Sequence, residues 1–150
     1  MSKLLIQGPS RLKGEIRVHG AKNSTLPLMA ASLLCDSTCV LHNCPVLSDV
    51  KTSEKILQHL GCRTGRSGSD VLIDPRGVEQ SDIPEHLMRE MRSSIVFLGA
   101  ILSRMGRAEL SFPGGCELGP RPIDLHLSAL RKMGVTIQED HGCLKCSAPE

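Results

Sequence analysis

Four side chains in this sequence have the chemistry to handle a small polyanion: Lys22, Arg92, Cys116 and Arg121. Cys116 lies in Pro113-Gly114-Gly115-Cys116-Glu117-Leu118-Gly119-Pro120-Arg121-Pro122, a run too rich in Gly and Pro to be an element interior. Gly114 and Gly115 let the backbone close around a ligand. If the loop curls, Arg121 brings positive charge to the thiol. A nearby cation lowers a thiol pKa from about 8.5 toward neutrality, the range of a general acid or nucleophile. Residue types alone fit a structural loop with an incidental cysteine equally well.

Lys22 and Arg92 stand 70 positions apart, each at or just before the start of an apolar helical run. Helix N-termini gather anions through free N–H groups and the dipole. Either residue alone reads as a solvated cation. Both at one repeat position, with Arg121 ahead of a further helix, make three cations at three helix starts. That set suits a doubly or triply charged anion.

Other chemistries lose support. There is no Gly-x4-Gly-Lys-Ser/Thr loop, no Gly-x-Gly-x2-Gly fingerprint and no Gly-x-Ser-x-Gly elbow. The histidines form no His-x3-His pair; His126, beside Asp124, is a minor candidate. Cys35-x3-Cys39-x2-His42-x-Cys44 is dense in metal ligands, but its middle lies in a strand-like run, and Cys143-x2-Cys146 lacks a second pair. A cysteine-based metal-binding protein is thus the weakest reading. Phe97 and Phe112 are the only aromatics, so no stacking platform for nucleic acid exists. The net charge of +2, with no basic run, agrees.

An internal repeat positions the four residues. Leu26, Leu28, Met29, Leu33 and Leu34 follow Lys22, and Ile95, Val96, Leu98, Ile101 and Leu102 follow Arg92, each at the spacing of one helix face. Strand-like segments come next, Thr38 to Leu41 and Ala108 to Phe112. Further on the offset becomes 73: Gly61 and Gly134 stop two helices, and Val71-Leu72-Ile73 matches Leu144-Lys145-Cys146. The unit is helix, strand, loop, helix, strand, strand. Copy two is three residues longer, and the excess falls in the Cys116 loop. Ser48-Asp49 reads as an N-cap, Asp124 as a dipole-complementing carboxylate, and Gly61 to Asp74 as a surface hairpin. The expected class is α/β, with helices covering one face of a sheet.

The 150 residues suffice for one ordinary domain, and no run approaches the ~18 apolar residues of a membrane span. No signal-peptide core follows Met1, and the seven cysteines are an odd number. Both point to a reduced, cytoplasmic chain whose cysteines are mostly small buried hydrophobes.

Gly20-Ala21-Lys22-Asn23-Ser24, Met91-Arg92-Ser93-Ser94 and Pro113-Gly114-Gly115-Cys116-x3-Pro120-Arg121-Pro122-Ile123-Asp124-Leu125-His126 resemble the UDP-N-acetylglucosamine 1-carboxyvinyltransferases, the enolpyruvyl transferases of bacterial peptidoglycan synthesis. Gln7-Gly8-Pro9-x2-Leu12-x-Gly14 resembles that family's start. The resemblance runs from end to end, and the cysteine loop sets it apart from the sister enzyme of the shikimate pathway. It implies an inside-out α/β barrel lobe of β-α-β-α-β-β units, about two of three present. Residues 1–20 would belong to a second lobe and 21–150 to a partial first lobe, with repeats at about 21–76 and 84–147. The expectation is the N-terminal portion of a longer chain.

By the same resemblance, the substrates are phosphoenolpyruvate and UDP-N-acetylglucosamine, and no cofactor or metal is implied. Lys22 and Asn23 match residues that contact phosphoenolpyruvate. Arg121 matches a phosphate ligand next to the uridine site. Arg92 matches a nucleotide-sugar contact, and Pro122, Ile123, Asp124 and Leu125 match the uridine pocket. Cys116 matches the general acid, which also bonds covalently to fosfomycin. No segment matches the second lobe's residues, so half a site, no useful turnover and self-association through uncovered helix faces are expected. A non-catalytic nucleotide-sugar-binding module stays as the alternative.

Overall fold

The structure is a computed structural model that describes residues 3–9, 11–111 and 123–149, without the Arg92 side chain. Lys22–Ala31 forms α1 and runs through Pro27 into a single 3-10 turn, Ser32–Leu34. Then come β1 (Cys39–Leu41), α2 (Ser48–His59), β2 (Arg63–Ser67) and β3 (Asp70–Asp74). The second half holds β4 (Asp82–Ile83), α3 (Glu85–Glu90), a 3-10 turn over Arg92–Val96, α4 (Phe97–Met105) and β5 (Arg107–Ser111). It ends with α5 (Asp124–Lys132), β6 (Thr136–Asp140) and β7 (Cys143–Ser147).

Two sheets result. One has the order β1-β3-β2 and is antiparallel throughout; the other has the order β4-β5-β7-β6, with β4 parallel to β5. The hairpins match: Ser67 opposes Asp70 in one, and Asp140 opposes Cys143 in the other. Along the inner strands Val71 and Ile73 are buried with Leu72 out, as Leu144 and Cys146 are buried with Lys145 out. A strand buried on one face alternates with period two, so the shared pattern sets one register for both copies.

That register corrects the sequence alignment. Val40 opposes Leu72, and Glu109 opposes Lys145. The first strands therefore match at an offset of 69, and the loop before α5 is four residues longer than its counterpart. Ladder pairing, which a sequence match cannot see, decides this. The 82–91 stretch carries β4 and α3, two elements that the unit of helix, strand, loop, helix, strand, strand does not include.

One apolar cluster joins the two copies: Leu26, Met29 and Leu33 of the first, Ile56 and Leu57 of α2, and Phe97, Leu98 and Ile101 of α4. Helix α1 packs on α2, on α4 and on the Arg92–Val96 turn. The apolar run of α1 is not all core, however, since Leu28 and Leu34 are 53% and 54% exposed. Arg104 reaches back from α4 to close the other copy's first helix. Its Nη1 donates to Leu33 O at 2.9 Å and Cys35 O at 3.0 Å, and its Nη2 to Pro75 O at 3.2 Å. Helix-terminal carbonyls lack intrahelical partners, and a cation there also meets the negative end of the dipole. Helices α2 and α3 are tied by Glu90, which accepts from Thr52 Oγ1 at 3.1 Å and Lys55 Nζ at 3.2 Å.

Residues 3–9 and 11–19 stand away from this body, with Leu4, Leu5, Ile6, Leu12, Ile16 and Val18 all exposed. No helix among the described residues is long and apolar enough to cross a membrane.

Candidate functional site

Lys22 is the first residue of α1, preceded by Ala21 in extended conformation, and no side chain caps the helix start. Backbone donors at such a start are left for other acceptors. Lys22 and Asn23 are both exposed there. Lys22 is not a free cation: its Nζ donates to Asp49 Oδ2 at 2.8 Å. Asp49 lies in the first turn of α2, whose cap position is taken by Leu47. The expected Ser48 cap does not form; Ser48 Oγ donates instead to Asp49 Oδ1 at 3.4 Å. The carboxylate thus joins two helix starts and sits where the α2 dipole favours an anion. The ammonium keeps two further protons for an outside acceptor.

Arg92 opens the Arg92–Val96 turn that leads into α4, so its backbone stands at a helical start as the repeat predicted. That turn packs on α1. Ile123 is half-buried at the cap position of α5, with Asp124 and Leu125 exposed in the first turn. Leu125 is 89% exposed, an apolar side chain with no protein cover among the described residues. Cys116, Arg121 and Pro122 lie outside the described residues. The structure therefore places Lys22, Asn23, Arg92, Ile123, Asp124 and Leu125 at three helix starts. It brings Lys22 to Asp49, a partner that sequence reasoning took only for a cap residue. A carboxylate two positions after Leu47 was the available signal, but nothing local pointed it at Lys22.

The other cysteines divide. Cys44, Cys62 and Cys146 are buried; Cys35, Cys39 and Cys143 are half-buried, so burial is less general than expected. Burial pushes the Cys62 thiol up to about 11, against a smaller opposing effect of Arg104. Burial also raises Cys44 and Cys146, and Cys39 is raised by burial and by the adjacent Cys35 thiol. A raised pKa suppresses the thiolate, the reactive form. Among the described residues no three His, Cys, Asp or Glu side chains converge in a way that could hold a metal ion.

Residues 6–149 match the family model of EPSP synthase (3-phosphoshikimate 1-carboxyvinyltransferase). The chain is 52% identical over 146 residues to UDP-N-acetylglucosamine 1-carboxyvinyltransferase 2 of Caldanaerobacter subterraneus, covering 97% of this chain and 35% of that protein. It is 42% identical to UDP-N-acetylglucosamine 1-carboxyvinyltransferase of Desulfosudis oleivorans, covering 100% of this chain and 36% of that one. The chain thus spans about a third of the length of the curated relatives it matches. Its fold is similar to the enolpyruvyl transferase NikO from Streptomyces tendae, with a TM-score of 0.81 at 24% identity over 95% of this chain and 32% of that chain. It is also similar to EPSP synthase from Acinetobacter baumannii, with a TM-score of 0.66 at 18% identity over 90% of this chain and 32% of that one. With the paired α/β repeats and the helix-start cations already in view, these matches make the chain a member of the EPSP synthase (3-phosphoshikimate 1-carboxyvinyltransferase) family.

Proposed function

We propose that this chain is the N-terminal part of an enzyme that transfers the enolpyruvyl group of phosphoenolpyruvate to the 3-hydroxyl of UDP-N-acetylglucosamine. The observation that carries the reading is the 52% identity to a protein of that name over nearly the whole chain. The sugar oxygen adds to carbon 2 of phosphoenolpyruvate while the methylene carbon takes a proton. The tetrahedral adduct then loses that carbon's proton and inorganic phosphate. Both steps need cations at the phosphate and carboxylate and a proton donor at the methylene.

In this reading Lys22, held by Asp49, and Asn23 contact phosphoenolpyruvate, and Arg121 binds its phosphate. Arg92 contacts the nucleotide sugar. Pro122, Ile123, Asp124 and Leu125 line the uridine pocket, which accounts for an apolar Leu125 left open. Cys116 is the proton donor. The product commits its sugar to peptidoglycan in the cytoplasm, and Cys116 is the site for fosfomycin. Residues 1–20 belong to a second lobe, as their exposed apolar residues suggest. That lobe completes the site, so the 150 residues alone do not turn over, because catalysis needs both sides of the cleft placed around the transition state. Uncovered Leu28, Leu34, Leu125 and Met133 favour self-association of the isolated chain.

The test is phosphate release from phosphoenolpyruvate and UDP-N-acetylglucosamine by the 150-residue chain and by a full-length parent. The parent turns over and the chain does not; robust release by the chain alone defeats the two-lobe reading. In the parent, Cys116→Ala abolishes most turnover and leaves nucleotide-sugar binding near its original strength. With limiting thiol reagent on the parent near pH 7, Cys116 labels at least 100-fold faster than Cys62. The raised pKa of Cys62 alone cuts its thiolate by roughly 100-fold relative to an ordinary cysteine. Equal labelling of the two removes the case for an activated thiol.

A further inference from the structure

The chain enters the Arg92–Val96 turn through a joint of one residue. Helix α3 ends at Glu90 and the turn begins at Arg92, with Met91 between them in extended conformation, φ −134° and ψ 114°. The backbone has two soft dihedrals per residue, so whatever holds Glu90 and Met91 sets where Arg92 stands. Helix α2 holds both. Glu90 Oε2 accepts from Thr52 Oγ1 at 3.1 Å and from Lys55 Nζ at 3.2 Å, and Ser53 Oγ donates to Met91 Sδ at 3.3 Å. Thr52, Ser53 and Met91 are all buried. The Lys55 ammonium and the Thr52 hydroxyl keep the Glu90 carboxyl below the ordinary carboxylate range. Beyond Arg92, the buried Ser94 donates its hydroxyl to Met88 O at 3.4 Å and its N–H to Met91 O at 3.1 Å. Thr52 lies three positions after Asp49, a spacing that makes them neighbours on one face of α2. Successive turns of that helix therefore hold Lys22, through Asp49, and the joint before Arg92, through Thr52, Ser53 and Lys55.

We propose that Glu90 is a positioning residue for nucleotide-sugar binding: through Thr52 and Lys55 it seats the Met91 joint, and with it Arg92, on the helix that also holds Lys22. The inference rests on the reading above, in which Arg92 contacts the nucleotide sugar and Lys22 contacts phosphoenolpyruvate. Helix α2 then sets the separation of the two cations, and so of the two substrates. Small misplacements of such groups cost large factors, because binding and reaction both depend on geometry. Glu90 is not needed to hold the fold together. Its side chain is 42% exposed and that of Lys55 56%, and so open a pair adds little stability. The sign of its effect is also informative. Removing a carboxylate would by simple Coulomb attraction tighten the binding of an anion, whereas releasing a positioned cation weakens it.

Steady-state kinetics of the full-length parent, with both substrates varied, test this. Glu90→Ala raises the KM for UDP-N-acetylglucosamine about tenfold and leaves kcat and the KM for phosphoenolpyruvate within about twofold, the signature of binding lost equally from ground and transition states. Glu90→Gln keeps an oxygen that accepts from Thr52 and Lys55, and its nucleotide-sugar KM stays within about threefold of the parent's. Lys55→Met removes the pair from its other, exposed end and raises the same KM about threefold. A merely structural Glu90 would lower the active fraction, and so kcat, with both KM values unchanged. That result, an equal rise in both KM values, or a fall in the nucleotide-sugar KM overturns the proposal. So does a Glu90→Gln as impaired as Glu90→Ala, which would assign the effect to charge rather than to the hydrogen bonds that seat the joint. A parent that releases no phosphate from the two substrates defeats the functional reading, and this inference with it. A parent that turns over while Glu90→Ala keeps its nucleotide-sugar KM overturns this inference alone.

Discussion

Lys22 Nζ lies 2.8 Å from Asp49 Oδ2, so the first turns of α1 and α2 are joined by one ion pair. The lysine side chain is 45% exposed and the aspartate 23%. A pair this open adds little stability, because water and salt screen it. Its consequence is positional: it holds the ammonium at the head of α1, where the helix already favours an anion.

Asp49→Asn should therefore separate stability from binding. Urea unfolding of the variant should fall within about 1 kcal/mol of the parent chain. In a full-length parent, the phosphoenolpyruvate Kd should rise by up to about tenfold, the equivalent of about 1.4 kcal/mol. An unchanged Kd in a phosphoenolpyruvate titration would detach the pair from the proposed site.

Arg104 should matter far more to folding than Lys22. It satisfies three backbone carbonyls across the two copies. Hydrogen bonds from a charged group contribute about 1.5–3 kcal/mol each and are not additive. Arg104→Ala should cost about 2–4 kcal/mol by urea denaturation. Arg104→Lys should recover less than half, since a single ammonium cannot reproduce the planar fork.

Gly61 and Gly134 occupy one repeat position with φ of +106° and +93°, yet they should not tolerate alanine equally. A Cβ on Gly61 would stand 2.2 Å from the Gly77 carbonyl oxygen, whereas on Gly134 the nearest atom is a Pro149 side-chain carbon at 3.2 Å. Both variants carry left-handed strain of about 1 kcal/mol or more. Gly61→Ala should lose clearly more, because a backbone crossing cannot yield as a proline ring can. Thermal melts of the two variants side by side check the order.

Asp74 should give the chain an acid-sensitive step. Hydrogen bonds from the Arg76 and Arg63 guanidinium groups hold its carboxyl well below the ordinary carboxylate range. Nη2 of each stands close to Asp74 Oδ2, at 2.8 Å and 2.6 Å respectively. A depressed folded pKa means that the stabilisation is complete above the unfolded value of about 3.9 and is lost as pH falls below it. Stability should decline progressively from about pH 4 downward. Asp74→Asn should be less stable than the parent at pH 7 and show a flatter acid limb in pH-dependent denaturant melts.

Much of this architecture was legible in the order of residues. The starts of α1 and α5, the glycine stops after α2 and α5, the strands after each first helix and the hairpins all follow from local periodicity and from residues with unusual backbone freedom. These signals act within a few positions, so a one-dimensional reading can find them. Cys116 and its loop lie outside the described residues, so their reading rests on identity alone: a reactive side chain in a Gly/Pro run.

What tertiary structure decided is what depends on partners distant in the chain. Leu28 and Leu34 share the apolar run of Leu26, Met29 and Leu33, yet they stay open because nothing among the described residues packs over them. Arg104 had no sequence signature, since its acceptors are carbonyl oxygens that every residue carries. The offset of 69 between the first strands came from ladder register, and the parallel β4 on one sheet, with no counterpart on the other among the described residues, came from pairing. Asp49 could be placed at a helix start from sequence, but only the packing of α1 on α2 turned its carboxylate to Lys22. Composition and spacing determine which groups are available and which segments curl or extend; long-range packing and strand pairing decide which of those groups meet.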